Sequence, residues 1–230
     1  MTAHVLFWDI DLTLLSTARA GIFALEDAAR EVLGADPDYS ELHTAGLTDS
    51  QIARMLMERH GVPSTPEKVG AFLRAYEAQL PRRLPERRGR VLDGVREILD
   101  DVRERPGVHS LLLTGNTRAG ARAKLSHYEL DGYFEDGAFC LDMDDRGEIA
   151  SRALEVAAKV IGTPAELERT FVIGDTPHDI AAGKSIGART IAVASGVVSA
   201  EELERHEPWL LWERLPGPEE FAQALGLPPR

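Results

Sequence analysis

His4-Val5-Leu6-Phe7-Trp8-Asp9-Ile10-Asp11-Leu12-Thr13 is the stretch from which the rest of the chain can be ordered. Residues 4–8 are mostly β-branched, aromatic or large apolar, the composition of a buried strand. Two carboxylates then follow, two positions apart, where that strand would run out. Residues i and i+2 of an extended segment share a side, so Asp9 and Asp11 are expected at one spot beyond the strand's carboxyl end. Two anions that close repel. The cost is tolerable only if a divalent metal or a shared proton sits between them, so the spacing implies a metal site or a nucleophile with an acid/base neighbour.

The bulk properties narrow the classes. A chain of 230 residues can bury one large domain, or a core domain with an insertion. With 26 basic against 38 acidic residues the net charge is -12, which argues against nucleic-acid and anionic-membrane partners and requires any bound phosphate to be neutralised locally. The lone cysteine, Cys140, rules out an intrachain disulfide and a cysteine zinc cluster. No run approaches the roughly 20 apolar residues of a membrane span, and no signal-peptide pattern precedes the first strand, so a cytoplasmic protein is expected.

Read in order, helical periodicity covers 19–33, 48–60 and 66–80, with Thr48 and Thr65 as N-caps and Pro66 in a first turn. Three helices without an intervening strand suggest an insertion acting as a lid. Residues 81–90 carry five arginines and break the pattern, and 14–18 and 81–92 read as linkers. From Val91 strands and helices alternate: helix 93–104, strand 108–113, helix 117–128, strand 137–141, helix 148–161, strand 170–173, helix 178–185 and strand 189–193. Trp209 to Trp212 suggests an edge strand and 218–225 a last helix. Continuous apolar runs such as Leu111-Leu112-Leu113 suit strands covered on both faces.

In an open parallel sheet ligands bind beyond the carboxyl ends of the strands. Three strands here end in polar residues: Asp9 and Asp11 after the first, Thr114-Gly115-Asn116 after the second, and Gly174-Asp175-Thr176-Pro177-His178-Asp179 after the fourth. A hydroxyl followed by glycine can hold an anion's oxygens, and two acids a helical turn apart can face a cation. Each alone could be a helix cap or a turn. Their joint order points to one site.

These motifs resemble those of the haloacid dehalogenase superfamily, whose first motif is Asp-x-Asp-x-Thr after a hydrophobic strand. Helices placed straight after that motif are similar to those of the helical-cap phosphatases, such as phosphoglycolate phosphatase and the phosphoglucomutase-like members. The resemblance implies an α/β, Rossmann-like parallel sheet of order 5-4-1-2-3, with a core at 1–14 and 91–230 and an inserted all-helical cap at 15–90. It implies further that Asp9 is a nucleophile forming an aspartyl-phosphate and Asp11 the acid/base, with Thr13 steadying the loop. Thr114 and the Gly115 and Asn116 backbone would grip the phosphoryl oxygens, and Mg²⁺ would be held by Asp9, the Asp11 carbonyl and Asp175, with Asp179 acting indirectly. The family's lysine before the helix is replaced by Arg146, in Asp145-Arg146-Gly147-Glu148, with Lys124 as the alternative cation.

The expected function is thus Mg²⁺-dependent hydrolysis of a small phosphomonoester. A sugar-phosphate mutase would use the same core residues, a haloacid dehalogenase would not need Asp11, and a non-catalytic α/β binding module would not need the whole set. Lys68, the only lysine within 15–90, reads as a surface residue rather than a Schiff-base former. Arg19, Thr44, Asp49, Gln51 and Arg54 are cap residues that could face the substrate or simply be exposed. The substrate itself and the oligomeric state are not legible.

Overall fold

A computed structural model describes residues 3–141 and 145–230. Its main sheet has six parallel strands: β1 (His4–Trp8), β4 (Val108–Thr117), β5 (Gly137–Cys140), β6 (Thr170–Gly174), β7 (Arg189–Val193) and β8 (Leu210–Trp212). Their spatial order is β5-β4-β1-β6-β7-β8. That is the expected 5-4-1-2-3 arrangement with the 209–212 segment added as a sixth strand at one edge.

β1 sits in the middle because every one of its residues is buried, and its side chains alternate between two cores. Leu6 and Trp8 pack on one face against α4 (Val95–Arg103), α5 (Arg118–His127) and α9 (Pro218–Leu225), where Phe221 stacks on Trp8 at 5.7 Å. Val5 and Phe7 pack on the other against α6 (Arg146–Ile161) and α7 (Pro177–Ser185), through the alanine stripe Ala150, Ala153 and Ala157. A strand covered on both faces needs no polar alternation, which is why its sequence reads as a continuous apolar run.

The helices α1 (Ala20–Leu33), α2 (Asp49–Arg59) and α3 (Pro66–Arg83) share a separate apolar cluster that includes Leu25, Leu56, Phe72 and Tyr76. Thr48 and Thr65 cap α2 and α3 as the sequence implies, Thr48 in a reciprocal box with Gln51. The chain crosses to these helices and back through two short strands, β2 (Leu15–Ser16) and β3 (Arg90–Val91), which pair antiparallel. The expected linkers are therefore not loose.

Nor does α3 stop before Pro81. It runs to Arg83 and continues into a 3-10 turn at Leu84–Glu86. Arg83 explains this: its guanidinium holds Asp27 of α1 at 2.6 and 2.8 Å and Glu86 at 2.7 Å, tying the last turn down. The arginine run is thus partly structural. A short helix, α8 (Ala200–Arg205), was not anticipated, although Ser199 followed by Glu201 and Glu202 is a capping pattern. Among the described residues no helix is long and apolar enough to cross a membrane.

Candidate active site

β1 ends at Trp8, and the chain turns at once. The Leu14 and Leu15 amides donate to the Ile10 carbonyl, and Leu12 adopts a left-handed φ of 60°. That turn follows Asp11, and both carboxylates open beyond the strand's carboxyl end, near enough to interact electrostatically. Both line the same cavity, but each has its own partners.

Asp9 is buried and belongs to a cluster with Asp175 and Asp179, in which one carboxylate oxygen from each lies within 4.8 Å of the others. Asp175 follows β6, the strand hydrogen-bonded beside β1, and Thr13 donates to it at 3.2 Å. Asp179 lies in the first turn of α7. One of its oxygens caps that helix, accepting from the Thr176 amide at 3.1 Å and hydroxyl at 2.6 Å, and the other lies 2.9 Å from Arg146. Gly174 makes this fold-back possible, since a Cβ there would lie 2.3 Å from the Asp179 carboxyl carbon. Asp179 thus stands in the same cluster as Asp9 and Asp175.

Arg146 is the first residue of α6, which begins two positions earlier than expected because Asp145 and Glu148 form a capping box. Its Nη1 lies 3.4 Å from Asp9 and 2.9 Å from Asp179. Its Nε is buried with no hydrogen-bond acceptor among the described residues and lies beside Gly115.

A second group forms around Asp11. Lys124, buried on α5, places Nζ 2.5 Å from the Asp11 carboxylate and 2.5 Å from the Asn116 side-chain oxygen. Asn116 in turn donates to Asp11 at 2.9 Å and to the Thr114 hydroxyl at 2.8 Å. Both candidate cations therefore enter the site: Arg146 serves Asp9 and Asp179, Lys124 serves Asp11. The expected use of the Asn116 backbone is supplemented by its side chain, a role the sequence reading missed.

Crowding sets the electrostatics. Burial, then the Asp179 carboxylate, pushes Asp9 up to about 7, against the pull of Arg146 and the Thr114 hydroxyl. Burial, then Asp179 and Asp9, pushes Asp175 up to about 9, against the Thr13 hydrogen bond. Three buried carboxylates with one arginine between two of them form an all-oxygen donor set short of positive charge, which fits a hard divalent cation.

The sequence model of the haloacid dehalogenase-like hydrolases matches residues 6–184, most of the chain and all of these residues. The chain belongs to this hydrolase family. A protein named probable phosphatase IndB in Dickeya dadantii is 27% identical over 209 residues, covering 90% of this chain and 88% of that protein. The pyrophosphatase PpaX of Halalkalibacterium halodurans is 27% identical over 124 residues, 54% of this chain and 56% of that protein, so about half the length of each is aligned. A crystal structure of a hydrolase from Pseudomonas syringae shares the fold with a TM-score of 0.71 at 20% identity, over 97% of this chain and 98% of that one.

In this member of the haloacid dehalogenase-like hydrolases the helical segment closes over the carboxylates. The Leu47 carbonyl and Thr48 press on Gly115, and Gly46 lies against His178 of α7. Asp49 of α2 accepts a 2.7 Å hydrogen bond from the Thr117 amide at the head of α5. Burial pushes this carboxyl up to about 6, against the attraction of Lys124 and that amide. Of the residues singled out in the helical segment, Arg19, Thr44 and Asp49 line the cavity, Gln51 closes the α2 capping box, and Arg54 is not in the cavity wall.

Proposed function

We propose that the protein is a Mg²⁺-dependent phosphatase of small phosphomonoesters, cytoplasmic, with 1–14 and 91–230 as its catalytic core and 15–90 as a helical cap. The observation that carries this reading is the meeting of Asp9, Asp175 and Asp179 beside the unpartnered Nε of Arg146. A buried N–H without an acceptor costs about 1–3 kcal/mol, and a phosphoryl oxygen would satisfy it. Thr114, whose hydroxyl acts on Asp9, would offer a second donor.

Asp9 attacks phosphorus and forms an aspartyl-phosphate. Asp11 protonates the leaving alkoxide and later takes a proton from the water that hydrolyses the intermediate. Lys124 and Asn116 hold the Asp11 carboxylate through both steps. Mg²⁺ held by Asp9, Asp175 and Asp179, with the Asp11 carbonyl, would supply the positive charge that a phosphate dianion lacks among these carboxylates. Thr13 keeps Asp175 aimed at the cluster.

The test is phosphate release from a panel of phosphomonoesters with and without Mg²⁺, for the wild type and Asp9→Asn. The variant should lose about 10⁴-fold or more in turnover, the scale of removing a nucleophile, while keeping its circular dichroism spectrum. Near-normal turnover would remove Asp9 from the chemistry. Formation of an isomer without free phosphate would replace hydrolysis by a mutase reaction on the same residues.

A further inference from the structure

The cavity over the carboxylates encloses about 540 Å³, more than a phosphoryl group fills, so part of its wall must meet the leaving group. Arg19 stands in that wall. It follows the crossing strand β2 and heads α1, on the helical segment rather than on the sheet that carries the acids.

The backbone there is ill suited to an arginine. Ala18 and Arg19 have φ of 47° and 69°, a left-handed pair that glycine adopts freely and other side chains resist. Arg19 is also the N-cap of α1, where serine, threonine, asparagine or aspartate would accept from the free helix amides, and its side chain makes no cap hydrogen bond. Another residue would meet both local preferences better. What arginine adds is a guanidinium in the cavity wall, and strain held beside a site points to a use for the side chain that bears it.

The neighbouring charges agree. Lys124 is taken by Asp11 and Asn116, and Arg146 faces Asp9 and Asp179. Arg19 instead donates from Nη2 alone, to the neutral carbonyls of Tyr39, at 3.2 Å, and Ser40. Among the described residues its Nε and Nη1 have no acceptor and it makes no ion pair. Of the lining carboxylates, Asp9 and Asp11 have these cations, Asp175 belongs to the three-acid cluster, and Asp49 accepts from the Thr117 amide. The exposed Glu41 shares its loop with the basic His43, which also lines the wall. Positive charge is left over on the leaving-group side.

We infer that Arg19 selects substrates whose leaving group carries its own anion, a carboxylate or a second phosphate, which takes up the open Nε and Nη1 donors. This rests on the phosphatase reading of the same site and names the substrate class that the reading leaves open.

Phosphate esters of ω-hydroxycarboxylic acids of increasing chain length, each paired with its primary amide, test it with the full chain and Mg²⁺. Bisphosphates of the matching diols, each against the diol monophosphate, form a second arm. Acid and amide are close in size, so the ratio of their kcat/KM isolates the charge. At the length that reaches Arg19 the wild type should favour the anionic ester by about tenfold, above the roughly fivefold ceiling of a fully exposed ion pair. Arg19→Gln should bring that ratio to within about twofold of unity, and Arg19→Lys, which keeps the charge, should retain a preference of about threefold or more. The arm with the larger ratio names the anion. If Arg19 only braces the loop at Tyr39 and Ser40, Arg19→Gln lowers both members of a pair together and leaves the ratio unchanged, which overturns the inference. A wild-type ratio at or below unity at every length in both arms overturns it without any variant. Failure of the underlying reading looks different: no ester releases phosphate, and both statements fall together.

Discussion

Adding Mg²⁺ to the metal-free protein should stabilise it more at pH 8 than at pH 5. Three carboxylate oxygens within 4.8 Å repel by at least about 3.5 kcal/mol per ionised pair at an effective dielectric constant of 20, or about 10 kcal/mol in all. Arg146, at 3.4 Å from Asp9 and 2.9 Å from Asp179, returns a similar amount, about 5 and 6 kcal/mol on the same scale. Neither contact is with Asp175, which Arg146 attracts only from farther off and whose hydrogen bond comes from the neutral Thr13 hydroxyl. That residue is accordingly pushed furthest, from 3.8 to about 9.

In the unfolded chain Asp175 releases its proton near 3.8, whereas the folded protein keeps it to about 9. Between those values the native state binds more protons than the unfolded one, so stability falls as pH rises. The contribution is fully present below the unfolded value and is lost as pH climbs through about 9; Asp9 adds the same sign between 3.8 and about 7. A divalent ion must displace these protons, which is harder at pH 5. At a concentration of about 100 Kd it contributes about 2.7 kcal/mol, or a Tm rise of about 5–11 °C for a chain of this size. Thermal melts at both pH values, with and without Mg²⁺, measure it. Asp175→Asn should raise the metal-free Tm at pH 8 and remove the Mg²⁺ response. No Mg²⁺ shift, or a larger one at pH 5, would refute the metal assignment.

Arg146→Ala should lower kcat/KM by about 10²–10³-fold through loss of a phosphoryl donor, whereas Lys124→Ala should lower kcat by about 10²-fold or more by freeing Asp11, with KM little changed. Steady-state kinetics on both variants would separate these roles, and a pure KM effect in Lys124→Ala would deny that it positions Asp11. Gly46→Ala places a Cβ 2.2 Å from the His178 ring at a φ of 75°, so the loop over the site must shift. Its kcat/KM should fall about tenfold while Tm changes by less than about 4 °C, because the helical cluster is untouched. Phe221→Ala removes the ring stacked on Trp8 and should destabilise by about 3–5 kcal/mol, read by urea unfolding, without altering the metal response.

Much of this was legible from local pattern. The alternation from Val91 onward, the Thr48 and Thr65 caps and the acids at strand ends all depend on residues a few positions apart, and neighbours in sequence settle such features. The one misreading at the end of α3 has a long-range cause. Residues 81–90 read as a break because Pro81's own chemistry says so, but Arg83 reaches Asp27, 56 residues before it, and that contact holds the turn in place.

By itself the sequence determined which side chains could do chemistry and that they lie at the carboxyl ends of parallel strands, since apolar runs and their polar ends are local properties. Only the tertiary structure decided which cation serves which acid. Lys124 reaches Asp11 across 113 positions and Arg146 reaches Asp9 across 137. Contacts at that separation are set by how α5 and α6 pack on opposite faces of the sheet, and no spacing rule encodes that packing.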